Sequence, residues 1–517
     1  MMLCATAVLI FANMFVQEKM DASIRENQLV DEAFIEGAPP LVAFTTVALG
    51  GFRGIIADYL WFRTISLQEQ GRYFELAQLA SWIMKLQPKF TGAAAFLGWN
   101  LAYNVSVTSR TPEDRWRWVQ RGIEVLTEAM RYSQSDPDLY KELGWIYQHK
   151  MGDVMDDAQR YYKYELARMM LHAYGQHFPD WDALAAAPRT ESKFREIYPL
   201  DHPLWKILKG WGHSSLDALQ KRFEELGNLP PELSGLPPDL QNTEEMRPLS
   251  EEDLNNLSAF LRSRWLRNVY LLDPQVIAQI NAVYGELDWL MPESMAVYWA
   301  TQGIAKAFSG EDTLNAERMV GDSLKVMFKA GRMLLPNDEP TIDFVLVPNI
   351  ALADVVLRYY EDADERHDTN TFRHALEYFL SDAIVTLYSF GHEKKAREFF
   401  QKLRENYKEN KANRMTFEQF VVSEFEGDFA GIGFKQINEF ISSLIFRSCI
   451  LLGYGDREAA AGHLALAKMA YNNYSARRTD ARLGLPPFDQ MKRDITQNVI
   501  ANFPTIAERL TAELAAE

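Results

Sequence analysis

Residues 71–88 read GRYFELAQLASWIMKLQP, and the spacing of their apolar positions decides the fold class. Leu76, Ala80 and Ile83 follow one another at steps of four and three, which at 3.6 residues per turn is one face of a helix. Gly71 opens the stretch and Pro88, which lacks an N–H and cannot continue a helix, closes it. Ten residues beyond Pro88 comes Leu97-Gly98, in a second run of small and apolar residues. A glycine there strips the side chain from a helix surface, so another helix can approach closely.

The same pattern returns further along. Tyr140, Leu143, Gly144 and Tyr147 repeat the spacing of the Leu97-Gly98 helix, and Gly122, Leu126 and Ala129 supply a helix like that of residues 71–88. Gly98 and Gly144 are 46 positions apart, so extra residues sit around Asn104 to Arg115. Toward the C-terminus Gly391, Ala396, Phe400 and Leu403, then Gly455, Ala460, Leu464 and Ala467, show one shared set of offsets, +5, +9 and +12. Helix pairs recurring in this way resemble the tetratricopeptide repeat (TPR) superfamily, whose period is about 34 residues. A further likeness, through GGFRGIIADYLWFRTISLQEQGRYFELAQLASWI and GELDWLMPESMAVYWATQGI, is to uncharacterised bacterial TPR proteins with an N-terminal membrane anchor. The resemblance implies an all-α, TPR-like α-solenoid of antiparallel helix pairs with a helical C-terminal array. It implies no catalytic activity.

Residues 1–16, MMLCATAVLIFANMFV, carry no charge. They are shorter than the roughly 20 residues of a spanning helix and lack a basic leader, so the expectation is a signal anchor over 1–17. A buried first helix is the competing reading. Residues 18–50 then form a linker or interfacial segment, with a twelve-residue apolar stretch from Leu41 to Phe52 at its end. The N-terminal TPR array is expected over 51–175. A Pro-rich insertion or linker over 176–260 contains NLPPELSGLPPDLQNTEEMRP at 228–248 and gives way to a helix start at Ser250 to Asp253. A TPR-like array over 261–475 and a C-terminal helical cap over 476–517 complete the chain. FVLVP at 344–348 is the one β-like run, read as the lead-in to a helix holding Ala351 to Tyr360.

The chain has 517 residues, 47% of them apolar and 24% charged, which is the composition of a folded protein larger than one core usually supports. Its net charge of −17 argues against a nucleic-acid partner. Two cysteines, Cys4 and Cys449, make neither a disulfide framework nor a metal knuckle. No HExxH, GxSxG, P-loop or GxGxxG occurs, so the chain is read as a non-enzyme without metal or cofactor. His172 and His177 are five apart and do not share a helix face. Asp201-His202 beside Pro203 reads as a turn, and the acids from Glu361 to Asp368 as a solvated helix end.

In the superhelix that the resemblance implies, positions 2, 5, 9 and 12 of each first helix face the groove. Trp61, Ile65 and Gln68 fall there in the first repeat, Trp99 in the second, and Lys141, Trp145 and Gln148 in the third. A tryptophan carries about 200 Å² of surface, and hiding it is worth on the order of 5 kcal/mol at about 25 cal/mol per Å². Such a face either grips an apolar peptide or helix, or is covered by another part of the chain. The expected function is a membrane-anchored scaffold that binds a protein or peptide partner in a bacterial membrane complex, with the bulk of the chain periplasmic. The alternatives are a helical-toroid enzyme acting on glycans, and a structural subunit without a groove.

Overall fold

A computed structural model describes residue 19 and residues 52–516, except 88–89, 154, 242–246, 309–312, 336–339, 343, 368, 391, 418, 422, 425–433 and 478–484. The expected anchor over 1–17 and Gly391 of the fourth repeat motif lie outside the described residues. The chain divides into two compact units, Met1–Val105 with Arg121–Ser135, and Ser106–Gln120 with Asp136–Glu517.

In the first unit, α1 (Phe52–Glu69) and α2 (Tyr73–Leu86) are joined by a tight reversal at Gly71, whose φ of +70° favours a residue without Cβ. α2 packs on α1 and on α3 (Thr91–Asn100), which runs on as a π turn through Leu101–Val105. Leu76, Ala80 and Ile83 are fully buried, so the stripe that defines α2 in the sequence is its packing face. Gly98 of α3 meets the second half of α4 (Pro112–Tyr132). A Cβ on Gly98 would lie 2.8 Å from Leu126 Cγ and 3.1 Å from the Gly122 carbonyl, and one on Gly122 would lie 2.6 Å from the Gly98 carbonyl. Two backbones touch there because both residues are glycine.

The second unit begins its helical array at α5 (Pro137–Trp145), which Asp136 caps by accepting the Asp138 N–H at 3.0 Å. A π turn over Ile146–Gly152 leads to α6 (Gln159–Tyr174). Residues 176–260, expected as an insertion or linker, hold four further helices: α7 (Trp181–Ala186), α8 (Glu191–Ile197), α9 (Pro203–Gly210) and α10 (Leu216–Leu226). Each is capped by the residue before it, Asp180, Thr190, His202 and Ser215. His202 therefore ends a turn and starts a helix. α11 (Glu251–Trp265) opens with the expected capping box, Ser250 and Asp253 bonding each other's backbone N–H.

α12 (Pro274–Tyr284) precedes two helices that meet α5: α13 (Pro292–Lys306) and α14 (Leu314–Ala330). A Cβ on Gly144 would lie 2.7 Å from Met319 Sδ and 3.4 Å from Trp299 Cβ. The close helix approach that a glycine at position 144 allows is made with helices far along the chain. FVLVP is a real strand: Val345–Val347 pairs antiparallel with Arg332–Leu334, Met333 facing Leu346. α15 (Ala353–Arg366), α16 (Asn370–Ser389) and α17 (Glu393–Asn406) follow, each packed on the one before.

The C-terminal group comprises α18 (Phe434–Tyr454), α19 (Arg457–Arg477), α20 (Phe488–Asn502) and α21 (Pro504–Ala516) around Ile441, Ile445, Leu451, Val499 and Leu510. Ala396, Phe400 and Leu403, and likewise Ala460 and Ala467, are buried, so the shared offsets mark packing faces. Apart from the two-stranded hairpin the described elements are helices, and the fold class is all-α.

Candidate functional site

α1 carries two apolar stripes. One is internal: Ala57, Thr64 and Leu67 are buried, with Leu60 and Trp61 half-buried beside them. Thr64 keeps its hydroxyl satisfied by donating to the Leu60 carbonyl at 2.8 Å. The other faces outward, where Ile56, Tyr59, Phe62 and Ile65 recur at steps of three. Tyr59 is 70% and Phe62 71% exposed. α2 adds Phe74 and Trp82, eight residues apart and both exposed. An aromatic ring of about 200 Å² left in water to that extent forgoes on the order of 3 kcal/mol. Tyr59, Phe62, Phe74 and Trp82 thus leave apolar ring surface open on two consecutive helices.

The groove residues anticipated from the repeat register are placed as follows. In the first unit Trp61 packs edge-on against Phe90 and Phe96, with ring centroids 5.3 and 5.0 Å away, so its ring belongs to the core. Ile65 points outward, Gln68 is half-buried, and Trp99 is half-buried with its ring stacked on Tyr103 at 5.4 Å. In the second unit Lys141 pairs with Asp138 one turn earlier. Trp145 is exposed and stacks on His149 at 4.7 Å. Gln148 is engaged: its amide donates to the Met319 carbonyl and to Ser323 Oγ, both at 2.9 Å. Helix α14 thus takes up the Gln148 side of α5, whereas Trp145 remains outward.

Tyr59, Phe62, Phe74 and Trp82 were not among the residues singled out from the sequence. Their signal was present in α1, whose apolar residues run almost all round the helix, a pattern no single packing face explains.

Buried charges collect in the second unit around the π turn. Lys150 pairs with Asp156 at 2.5 Å, and Arg115 reaches both Asp156 and Asp157. Burial pushes the Asp156 carboxyl up, but the Lys150 contact, the Ala158 N–H and Arg115 outweigh it and hold it below the usual range. Lys163 donates to the Gly152 carbonyl at 2.8 Å and to Gln159 Oε1 at 2.9 Å, and burial lowers its pKa. Burial raises the Glu293 carboxyl against the opposing pull of Lys163. Asp288 is almost wholly buried and accepts from His177 Nε2 and from the N–H groups of Leu290 and Met333. These groups tie the turn, α6 and the hairpin together. Among the described residues no cluster of His, Cys, Asp and Glu could hold a metal ion, and no helix is long and apolar enough to cross a membrane.

No family model, curated protein or solved structure matches this chain.

Proposed function

We propose that the protein is a membrane-tethered helical scaffold of TPR type, with its N-terminal segment in the bilayer and the aromatic face of α1 and α2 against the lipid surface. Its remaining helices present surfaces, Trp145 among them, to a protein partner in a membrane-associated complex, on the periplasmic side. The observation that carries the reading is the exposure of Tyr59, Phe62, Phe74 and Trp82 on the two helices that directly follow the apolar run Leu41 to Phe52. Tyr and Trp favour the membrane–water boundary, where the ring meets acyl chain and the polar atom meets water. The TPR part is supported by the crossing of Gly98 with Gly122 and Leu126, three residues at repeat offsets that bring two helices into backbone contact.

The test uses full-length protein in vesicles of phosphatidylethanolamine and phosphatidylglycerol that contain a photoactivatable lipid. Crosslinked peptides from α1 and α2 carrying Tyr59, Phe62, Phe74 and Trp82 are expected, in protein that resists carbonate extraction. Carbonate-resistant protein without those crosslinks would remove the aromatic face from the membrane, and full release by carbonate would remove the tether itself.

A further inference from the structure

The C-terminal group of the second unit holds a mainly apolar cleft of about 510 Å³, within the size range of small-molecule sites. It lies where α19 and the α20–α21 pair both pack on α18 and leave a trough between them. Buried Leu452 and Cys449 of α18 form its inner wall. Along α19, Arg457, Ala461, Leu464 and Lys468 recur at steps of four, three and four, so one face of that helix lines the cleft. Leu514 of α21 faces it from the other side.

The polar atoms of the inner wall are engaged. Ser448 Oγ donates to the Ala460 carbonyl at 2.7 Å, and Cys449 Sγ meets Thr496 Oγ1 at 3.3 Å. The wall therefore suits an apolar body rather than a polar one.

The two ends of the cleft differ in charge. At one end Arg457 pairs with Glu513 at 2.6 Å, and their charges cancel. Lys468 stands eleven positions further along α19, about 16 Å away at 1.5 Å per residue. It is exposed and makes no ion pair among the described residues. Tyr471 meets Phe488 with ring centroids 5.5 Å apart, which brings the start of α20 to this end. Lys492, one turn further along α20, lines the cleft as well. A lysine stem covers apolar surface while its ammonium stays in water, so this end offers two cations at the edge of an apolar trough. In a chain of net charge −17 that is a local reversal of sign. The complement is a linear amphiphile with one negative end.

We propose that this cleft binds a single-chain fatty acid anion, with its carboxylate at Lys468 and Lys492 and its acyl chain along Leu452, Leu464 and Leu514. The inference does not rest on the tether or on the aromatic face of α1 and α2.

Photolabelling of the full-length protein tests it, in nanodiscs of phosphatidylethanolamine and phosphatidylglycerol, with a diazirine-bearing dodecanoate as the probe. Saturable label is expected on the α19 and α21 peptides that carry Leu464 and Leu514, displaced by unlabelled dodecanoate but not by dodecyltrimethylammonium. Ala461→Trp should fill the trough and abolish the label. Lys468→Glu should raise the concentration for half-maximal labelling by about tenfold or more. Both side chains are exposed, so the melting temperature should hold, and Lys468→Glu decides the matter if Ala461→Trp lowers it. Absence of saturable label on these peptides would overturn the proposal, as would displacement by the cationic amphiphile as readily as by dodecanoate. Labelling unchanged in both variants would do the same. A photoactivatable phosphatidylglycerol that labels the same peptides and resists dodecanoate would replace the fatty acid with a membrane lipid.

Discussion

Gly98 and Gly122 show how a single missing side chain sets the distance between two helices. Either Cβ would sit within about 3 Å of the opposite helix, and at Gly122 the obstacle is a backbone carbonyl that no rotamer change can move. Gly98→Leu should overpack this crossing by about 1–3 kcal/mol, whereas Gln78→Leu, on the exposed side of α2, should be nearly silent. Equal shifts in melting temperature for the two variants would mean the crossing contributes nothing. Asp156 acts through charge. Its carboxyl titrates lower in the folded chain than in the unfolded one, so its contribution is complete above the unfolded pKa of about 4. That contribution is lost as pH falls through the folded value. Asp156→Asn removes the carboxylate paired with Lys150, itself 4% exposed, and should cost about 3 kcal/mol near pH 7. Denaturant melts should show the gap between variant and parent narrowing as pH falls below about 4, and a pH-independent gap would contradict the ionic account. The glycines were legible in the sequence because a repeat offset names them. The partners of Asp156 were not: Arg115 is 41 positions away and shares no period with it.

At the scale of the element, α1 carries a buried and an exposed apolar stripe on one helix. Its inner stripe packs Trp61 on Phe90 and Phe96, so Trp61→Ala should behave as a partial core deletion of about 2–3 kcal/mol, short of the 3–5 kcal/mol of a fully buried ring. Its outer stripe should behave in the opposite way. Tyr59→Ser with Phe62→Ser should leave the thermal melt of the detergent-solubilised protein within about 0.5 kcal/mol and sharply reduce lipid crosslinking. Trp145→Ala is expected to follow the outer pattern, with recovery of a co-purifying partner lost and the fold intact; a large drop in stability would make Trp145 core instead. Helix type was legible over α2 and α17 because both are long enough to display a period. The four helices of residues 176–260 were not, since six to eleven residues give at most three turns, and their caps resemble ordinary loop chemistry.

At the scale of the whole molecule, the uncharged run over residues 1–17 governs where the protein resides under the proposed function. Removing residues 1–17 should move it from the membrane pellet toward the soluble fraction, because four surface rings bind lipid reversibly where an inserted helix does not. Protease added to intact spheroplasts should digest the bulk of the chain, and complete protection would place it in the cytoplasm. The all-α class was decided by the sequence alone, because the period of 3.6 is a local property that survives without knowing any partner. So were the packing stripes of α2, α17 and α19 and the glycine crossing in the first unit, each of which is written within a few tens of residues. The tertiary structure decided which helices cover α5, that FVLVP finds a strand partner thirteen positions back, and that Trp61 is core while Tyr59 and Phe62 face outward. Those outcomes depend on contacts between distant segments, and an apolar or charged residue looks the same in sequence whichever of them claims it.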